Sequence, residues 1–377
     1  MTCNQNRNAE AVKAKRTAKS LVIAHRGASG YRPEHTLASY TLAIEQGADF
    51  VEPDLVATKD HRLICRHENA LAVLNPDGSL NTQDTSTDVY RRVDFAPRLA
   101  TKTIDGREVR GWFSEDFTLA EIKTLRAVER IPALRPANTQ YNGQFEIPTF
   151  EDVIALVQTQ SSRTRRAIGI YPETKHPSYF HSEGRGIDGS VIGINLGAAL
   201  IDVLRATGFT DRERIFIQSF EVENLRELQQ ILLPRAGLTL PLIQLIEGSA
   251  APYDQVLAGN VLDYAAMIKL SGLQEIARYA RGIGVFKHLV ISRTADDALA
   301  EPSPLVRDAH ASGLLVHGWT FRAENHFLPT ELRHGRDSAS HGDLKAEVRA
   351  FVAAGLDGVF CDHPDLAVAA IASLGEG

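Results

Sequence analysis

The sequence is poor in cysteine, in long apolar runs and in clustered positive charge, and each shortage narrows the choice of protein class. Its three cysteines, Cys3, Cys65 and Cys361, form no CxxC pair, which argues against a cysteine metal centre and a disulfide framework. No stretch approaches the roughly 20 consecutive apolar residues of a membrane-spanning helix. The net charge is −6 without a sustained basic run, so nucleic acid is not expected as the main partner. These shortages predict an ordinary soluble globular protein.

The first 19 residues are polar and basic and contain no apolar core of the kind found in signal peptides. They predict a flexible tail, residues 1–19, in front of a folded part that spans residues 20–377. An alternative stays open, in which the chain is a mature exported product with an added methionine. In that case Cys3, so near the end, would suit a lipid attachment point.

Chemically reactive side chains are concentrated between residues 21 and 69, after short apolar runs that predict buried strands. Two carboxylates stand two residues apart in one such run, so their side chains leave the same face of the strand. Two histidines and an arginine follow neighbouring runs, where each strand is expected to end. This combination indicates an active site. Its members are His25, Arg26, Glu52, Asp54 and His67.

Apolar runs and helical patterns alternate over most of the chain, and eight such units predict an α/β fold, a closed (β/α)8 TIM barrel. An open, doubly wound sheet is the alternative. In a barrel, the polar residues that follow the strands converge on the C-terminal rim. The strands are predicted around Val22, Val51, Ile168, Ile215, Leu242, Leu289, Leu315 and Val359.

Residues 70–145 interrupt the alternation with a polar segment in which only residues 119–125 resemble a helix. A polar loop of this length is uncommon inside a compact fold unless it has a function. We therefore predict an insertion over the C-terminal rim of the barrel.

A third carboxylate, Glu173, follows another predicted strand and is expected at the same level as Glu52 and Asp54. Three carboxylates in one pocket repel one another unless a cation neutralises them. Hard oxygen ligands favour Mg²⁺ or Ca²⁺ over zinc. The three residues therefore predict a divalent metal site, in preference to an acid and base pair or a solvated strand edge.

Histidines at the same rim suit acid and base chemistry, because imidazole titrates near neutral pH. We predict His25 and His67 as the catalytic pair, with Arg26 on a phosphate oxygen and Lys175 as a second cation. Substrate binding is also predicted for two residues at strand ends, Gln218 and Trp319. The remaining histidines without metal-ligand spacing are predicted to be surface residues: His176, His181, His326, His334 and His341.

Several of these stretches together resemble the signature of the glycerophosphodiester phosphodiesterases, especially the larger, periplasmic bacterial branch. The matching residues are 25–31 (HRGASGY), 33–36 (PEHT), 52–55 (EPDL) and His67, with further similarity at 171–175, 317–319 and 358–365. The chain departs from this family signature at two positions. Pro53 stands between the two acids, and Glu68 replaces the aspartate that commonly follows the second histidine.

The resemblance implies a barrel with an insertion at this position, the same three metal ligands and the same two histidines. It implies hydrolysis of deacylated phospholipids to an alcohol and sn-glycerol 3-phosphate, with Ca²⁺ favoured and Mg²⁺ as the alternative. It also implies a small-molecule substrate and a periplasmic or secreted location, while a cytoplasmic one stays open. A lysophospholipase D-like enzyme and a surface-anchored binding protein on the same barrel are the alternative functions. The head group, the nucleophile and the oligomeric state are left open.

Overall fold

The computed structural model describes residues 20–375, and the predicted tail 1–19, with Cys3, lies outside the described residues. The fold is a closed (β/α)8 barrel, as predicted. Its eight parallel strands pair in chain order around the ring, and the first pairs with the last through Leu21 and Gly358. The strands are Leu21–Ala24, Phe50–Val51 with Asp54–Ala57, Gly169–Ile170 with Glu173–Thr174, Ile217–Ser219, Leu242–Ile246, Gly282–Phe286, Leu315–Phe321 and Gly358–Cys361.

Two of these strands are interrupted by a proline, which has no N–H to donate to the ladder. Pro53 lies in the second strand and Pro172 in the third. The carbonyl oxygens of both prolines still accept, since Glu173 N donates to Pro53 O (3.0 Å) and Gln218 N donates to Pro172 O (2.9 Å). The barrel sheet therefore stays hydrogen-bonded at the two prolines, which directly precede the predicted metal ligands Asp54 and Glu173.

Helices connect the strands, and several begin at side chains that accept from the first turn. The Thr36 hydroxyl accepts from Ser39 N, and Thr149 forms a reciprocal capping box with Asp152. The principal helices are Leu37–Glu45, Phe150–Thr164, Leu196–Thr207, Val222–Glu227, Leu233–Ala236, Tyr253–Leu257, Tyr264–Met267, Leu270–Ile276, Leu305–Ala311, Leu344–Ala353 and Pro364–Ala372. No helix among residues 20–375 is both long enough and apolar enough to pass through a bilayer.

The prediction of the sixth strand around Leu289 is wrong. The strand is Gly282–Phe286, while Lys287–Leu289 is a 3₁₀ turn and Ile291–Arg293 pairs with Leu299–Pro302 outside the barrel. Glycine is uncommon in strands, so the glycines of this segment made the strand hard to recognise from the sequence. They are needed for close packing, because a Cβ on Gly282 would lie 2.8 Å from Leu315 O.

The segment 70–145 is not the polar loop that the sequence predicts. It contains a four-stranded antiparallel sheet, with short 3₁₀ helices and the helix Leu119–Ile122. The sheet strands, in spatial order, are Leu80–Asn81, Ala70–Leu74, Arg107–Phe113 and Ala100–Ile104. Asp105 and Gly106 form the turn of the last hairpin, both with positive φ (47° and 75°), which is the pattern of a two-residue type I′ turn.

This segment shares the hydrophobic core of the barrel. Phe113 and Phe117 are fully buried in the main core cluster. The Ser114 hydroxyl donates to Ala57 O (2.8 Å), and Lys59 N donates to Phe117 O (2.8 Å), so the segment is tied to the second barrel strand. The packing predicts that the segment and the barrel unfold together.

We expect Phe117→Ala to lower the free energy of unfolding of the whole chain by about 3–5 kcal/mol, because it removes a fully buried ring. Urea denaturation followed by circular dichroism measures this change. The control is Val93→Ala in the same segment, where the side chain is 87% exposed. A separate early transition in Phe117→Ala, with the barrel transition unchanged, would contradict a shared core.

Candidate active site

The barrel interior contains an apolar layer that lies just before several of the functional residues along the strands. Ile23, Phe50, Tyr171, Ile243 and Phe360 form this layer and are almost wholly buried. Side chains two residues apart on a strand share a face. The residues that follow the layer on the same face are therefore His25, Glu52, Asp54, Glu173, Lys175 and Asp362.

A tight glycine turn fixes the first of these positions. Arg26 and Gly27 both have positive φ (60° and 89°). A Cβ on Gly27 would lie 2.3 Å from the Ser39 hydroxyl at the start of the first helix, so only glycine fits there. The turn places the Arg26 side chain over the rim and lets Arg26 N donate to Glu52 Oε2 (3.1 Å).

The three predicted metal ligands lie together. Glu52, Asp54 and Glu173 are buried, and each offers an oxygen within 4.8 Å of the others. Neighbouring donors hold them: Gln218 Nε2 donates to Glu52 Oε1 (2.7 Å), and the His35 ring donates through Nε2 to Asp54 Oδ2 (3.0 Å). Oδ1 of Asp54 has no hydrogen-bond partner among residues 20–375.

The positive groups around this site compensate Asp54 more than the other two carboxylates. Although burial opposes it, Lys175, His35 and Arg26 hold the pKa of Asp54 well below its ordinary value. Burial, with repulsion from Asp54 and Glu173, raises the pKa of Glu52 well above its ordinary value. Burial also raises the pKa of Glu173 to about 7, although Lys175 Nζ lies 2.9 Å from its carboxylate. Buried carboxylates with an unpartnered oxygen, and oxygen donors only, fit a hard divalent cation. The three residues could hold one.

His25 is held from behind by a carboxylate. Its Nδ1 donates to Asp362 Oδ1 (2.6 Å), so the lone pair of the neutral ring is on Nε2, which lies 3.9 Å from Glu52 Oε2. Arg135 and Arg322 both donate to Asp362 Oδ2. Burial and the nearby Arg26 lower the pKa of His25 to about 4. The arrangement suits a neutral imidazole that accepts a proton.

His67 occupies a more open position, with 27% of its side chain exposed against 9% for His25. Its Nδ1 lies 2.9 Å from Glu68 Oε1. Burial and the cations Arg26 and Lys175 lower the pKa of His67, while Glu68 opposes them. Each of the two histidines therefore has a carboxylate at Nδ1.

The prediction that His176 is a surface residue is wrong. Only 14% of its side chain is exposed, and both ring nitrogens contact carboxylates. Nε2 donates to Glu68 Oε2 (2.8 Å) and Nδ1 donates to Asp105 Oδ2 (2.6 Å). Sequence spacing alone could not show these contacts, because they join three distant parts of the chain.

The predicted substrate-binding residues are placed differently from one another. Arg26 donates through Nη1 to Glu34 Oε2 (3.0 Å), with Nε 3.4 Å from Asp54. Gln218 is fully buried against Glu52. Trp319 is half-buried, donates to Gly284 O (3.0 Å) and belongs to an aromatic wall. The wall consists of Phe220, Phe286 and Trp319, with ring centroids 5.4–5.9 Å apart along the chain of contacts.

A second group of possible ligands, Glu324, His341 and His363, lies within the same distance limit. Ala323 N donates to His363 Nδ1 (3.3 Å), so the proton of the neutral ring is on Nε2. Arg135 already pairs with Glu324 (2.6 Å). Glu324 Oε2 and His363 Nε2 have no partner among residues 20–375, but the neutral His363 ring would have to give up its contact with Ala323 N before Nε2 could bind a cation. Arg135 already offsets the charge of Glu324, so this group fits a metal less well than the three carboxylates do.

Fold and site together define a class: a (β/α)8 barrel enzyme whose C-terminal rim combines buried carboxylates, fixed cations and two carboxylate-paired histidines. Comparison with known proteins agrees. Residues 25–366 match the model of the glycerophosphoryl diester phosphodiesterase family. A glycerophosphodiester phosphodiesterase of Arabidopsis thaliana is 33% identical over 84% of this chain and 78% of its own length. One from Haemophilus influenzae is 30% identical over 92% of this chain and 88% of its own length.

Solved structures show the same fold. One, a putative glycerophosphoryl diester phosphodiesterase from Silicibacter pomeroyi, has a TM-score of 0.59 and 19% identity, over 95% of both chains. An Oleispira antarctica phosphodiesterase in complex with the product sn-glycerol-3-phosphate has a TM-score of 0.55 and 20% identity, over 94% of this chain and 97% of that one. The chain belongs to the glycerophosphoryl diester phosphodiesterase family, and it is an enzyme, a phosphoric diester hydrolase.

Sequence reasoning left several residues of the site without a role. Asp362 follows the last strand and was recognisable by the same alternation as the metal ligands. His35 is carried by the turn before the first helix, and Arg135 comes from the segment 70–145. Nothing in a polar segment marks which of its arginines faces the rim, so the position of Arg135 required the structure.

The ion pairs of His176 predict a pH-dependent stability. Burial opposes the charged ring, but Glu68 and Asp105 outweigh it and raise the pKa of His176 from 6.5 to about 10. Folding therefore favours the protonated ring, and this stabilisation is complete below pH 6.5 and lost as the pH rises towards 10. We expect His176→Ala to lower the free energy of unfolding more at pH 6 than at pH 9.5, measured by urea denaturation.

The control for this experiment is His326→Ala, because His326 is exposed. Its effect should be small at both pH values. An effect of His176→Ala that does not change with pH would contradict the ion-pair assignment.

Proposed function

We propose that the protein hydrolyses glycerophosphodiesters to an alcohol and sn-glycerol 3-phosphate, with His25 as general base and His67 as general acid. The observation that supports this most directly is the pair of histidines at one rim, each with Nδ1 against a carboxylate and Nε2 left for chemistry. Family membership supports the substrate class. The roles of the individual residues are inferred from their contacts.

The substrate phosphate is proposed to lie between Arg26 and Lys175, whose fixed positive charges suit its oxygens. The half-buried Trp319 would provide an apolar wall for the glycerol backbone. Gln218 is proposed to act on the substrate through Glu52, because its amide donates to that carboxylate.

The reaction forms one P–O bond and breaks another. The nucleophile, either water or the hydroxyl of the substrate, transfers its proton to Nε2 of His25 as it attacks phosphorus. Attack by the hydroxyl would give a cyclic phosphate, which a water molecule must then open to sn-glycerol 3-phosphate. Asp362 stabilises the imidazolium that forms, as a carboxylate does at Nδ1 in other acid–base pairs. The bond to the head-group oxygen breaks, and His67 gives its proton to that oxygen.

His67 must be protonated for this role, although burial and then the cations Arg26 and Lys175 lower its pKa in the free enzyme. The substrate phosphodiester carries a negative charge that would offset these two cations. Substrate binding is therefore expected to raise the protonated fraction of His67.

A divalent cation, with Ca²⁺ favoured over Mg²⁺ on the resemblance to the larger bacterial branch, would be held by Glu52, Asp54 and Glu173. When bound, such an ion neutralises the charge that develops on the phosphoryl oxygens. The location is proposed to be periplasmic or secreted on the same resemblance.

The metal assignment is tested by binding, independently of turnover. We expect Asp54→Ala to abolish tight Ca²⁺ binding in calorimetry, because it removes one of the three ligand carboxylates. Asp365→Ala, an aspartate outside the group, is the control and should bind as the unmodified protein does. An unchanged Ca²⁺ affinity in Asp54→Ala would contradict the assignment of the three carboxylates as the metal site.

The two histidines are separated by their dependence on the leaving group. An alkoxide cannot depart without a proton, whereas nitrophenolate can. We expect His67→Ala to lose about 10²–10⁴-fold in kcat/KM on glycerophosphocholine but to keep most activity on a nitrophenyl ester of glycerol phosphate. His25→Ala should lose activity on both substrates.

Rescue of His25→Ala, and not of His67→Ala, by the nitrophenyl substrate would reverse the assignment. Equal losses of kcat/KM in both variants on both substrates would show that the two histidines do not have separate acid and base roles. Lysophosphatidylcholine serves as a third substrate, and its preference over glycerophosphocholine would favour the lysophospholipase D-like alternative.

A further inference from the structure

A line of four titratable side chains runs from His67 to the hairpin tip of the segment 70–145. His67 Nδ1 lies 2.9 Å from Glu68 Oε1, and the other Glu68 oxygen accepts from His176 Nε2 at 2.8 Å. His176 Nδ1 donates to Asp105 Oδ2 at 2.6 Å. The carboxylates alternate with the rings, so every step joins a donor to an acceptor.

The hairpin geometry explains why Asp105 ends this line. Asp105 and Gly106 are the two central residues of the turn between the strands Ala100–Ile104 and Arg107–Phe113. Positive φ at both positions directs the Asp105 side chain away from its own sheet towards His176, which has positive φ itself (50°). Oδ1 of Asp105 is buried and has no partner among the described residues, so His176 is the main contact of this carboxylate.

We propose that Asp105 and His176 are positioning residues for the reaction: they fix the Glu68 carboxylate, which in turn holds the ring of His67 towards the substrate. The inference rests on the proposed function, in which His67 acts on the leaving group. It assigns to the hairpin of the segment 70–145 a part in catalysis that does not depend on touching the substrate.

The physical effect is on orientation. Glu68 is partly exposed, with 38% of its side chain accessible, and without His176 its carboxylate would sample several rotamers. His176 pins one oxygen, which leaves the other at Nδ1 of His67. A carboxylate only accepts, so Nδ1 of His67 carries a proton and Nε2 is kept for the substrate. Asp105 prevents the His176 ring from turning away.

The experiment compares kcat and KM on glycerophosphocholine for Asp105→Gly, Asp105→Asn and Glu68→Ala, and for the double variant Glu68→Ala with Asp105→Gly. Glycine and asparagine both suit the turn, so each replacement keeps the hairpin. We expect Asp105→Gly to lower kcat by about tenfold, the lower end for loss of a group that orients a histidine in metal sites, with KM unchanged. Asp105→Asn should keep most of the kcat of the unmodified protein, since the amide oxygen of asparagine can still accept from His176.

The double variant gives the decisive reading. Because Asp105 acts through Glu68, Asp105→Gly should cost nothing further in the Glu68→Ala background. The same loss in both backgrounds, a rise in KM with kcat unchanged, no loss at all, or no rescue by Asp105→Asn would each overturn the inference. Glu108→Gln, an exposed charge removed from the same hairpin, is the control and should keep full activity.

His67→Ala, measured beside these variants, separates the two possible failures. If His67→Ala is inactive on glycerophosphocholine while Asp105→Gly is fully active, the positioning inference alone fails. If His67→Ala itself keeps full activity, the role of His67 in the proposed function fails, and the inference falls with it. Melting temperatures of all variants check that each one is folded.

Discussion

The mutual repulsion of three buried carboxylates is the constraint on which the rest of this site depends. Glu52, Asp54 and Glu173 share a volume less than 5 Å across, where water cannot screen them. Fixed donors lie beside two of these carboxylates. Arg26 N and Gln218 contact Glu52, and Lys175 contacts Glu173. These donors do not fully compensate Glu52, because burial, with repulsion from Asp54 and Glu173, still raises its pKa well above the ordinary value. The remaining charge is a reason for the site to bind a cation.

Pairing of opposite charges arranges the two histidines. Asp362 holds His25 and is itself held by Arg135 and Arg322. Glu68 lies at Nδ1 of His67 and is itself paired with His176. Both arrangements draw on the segment 70–145, through Arg135 in one and Asp105 in the other. The segment therefore contributes side chains to the barrel rim as well as hydrophobic residues to the core.

Much of this could be predicted from the sequence, because strand alternation is a local property. Glu52 and Asp54 stand two apart, and Asp362 follows an apolar strand, so their shared rim follows from period-two geometry. The sixth strand was missed because Gly282 and Gly284 are explained only by their neighbours in the closed barrel. The hairpin had a local signal in Asp105-Gly106, which sequence reasoning passed over. The contact of His176 with Asp105 had no such local signal, because it depends on how two distant parts of the chain pack against each other.

The central claim is that a cation held by the carboxylates is required for hydrolysis. The most direct test measures release of sn-glycerol 3-phosphate from glycerophosphocholine by the unmodified protein, first with excess EDTA and then with Ca²⁺ or Mg²⁺ added back separately. The account predicts no turnover in EDTA and recovery with a divalent cation, to a greater extent with Ca²⁺. Full turnover in EDTA, in a sample shown to be free of bound metal, would contradict it.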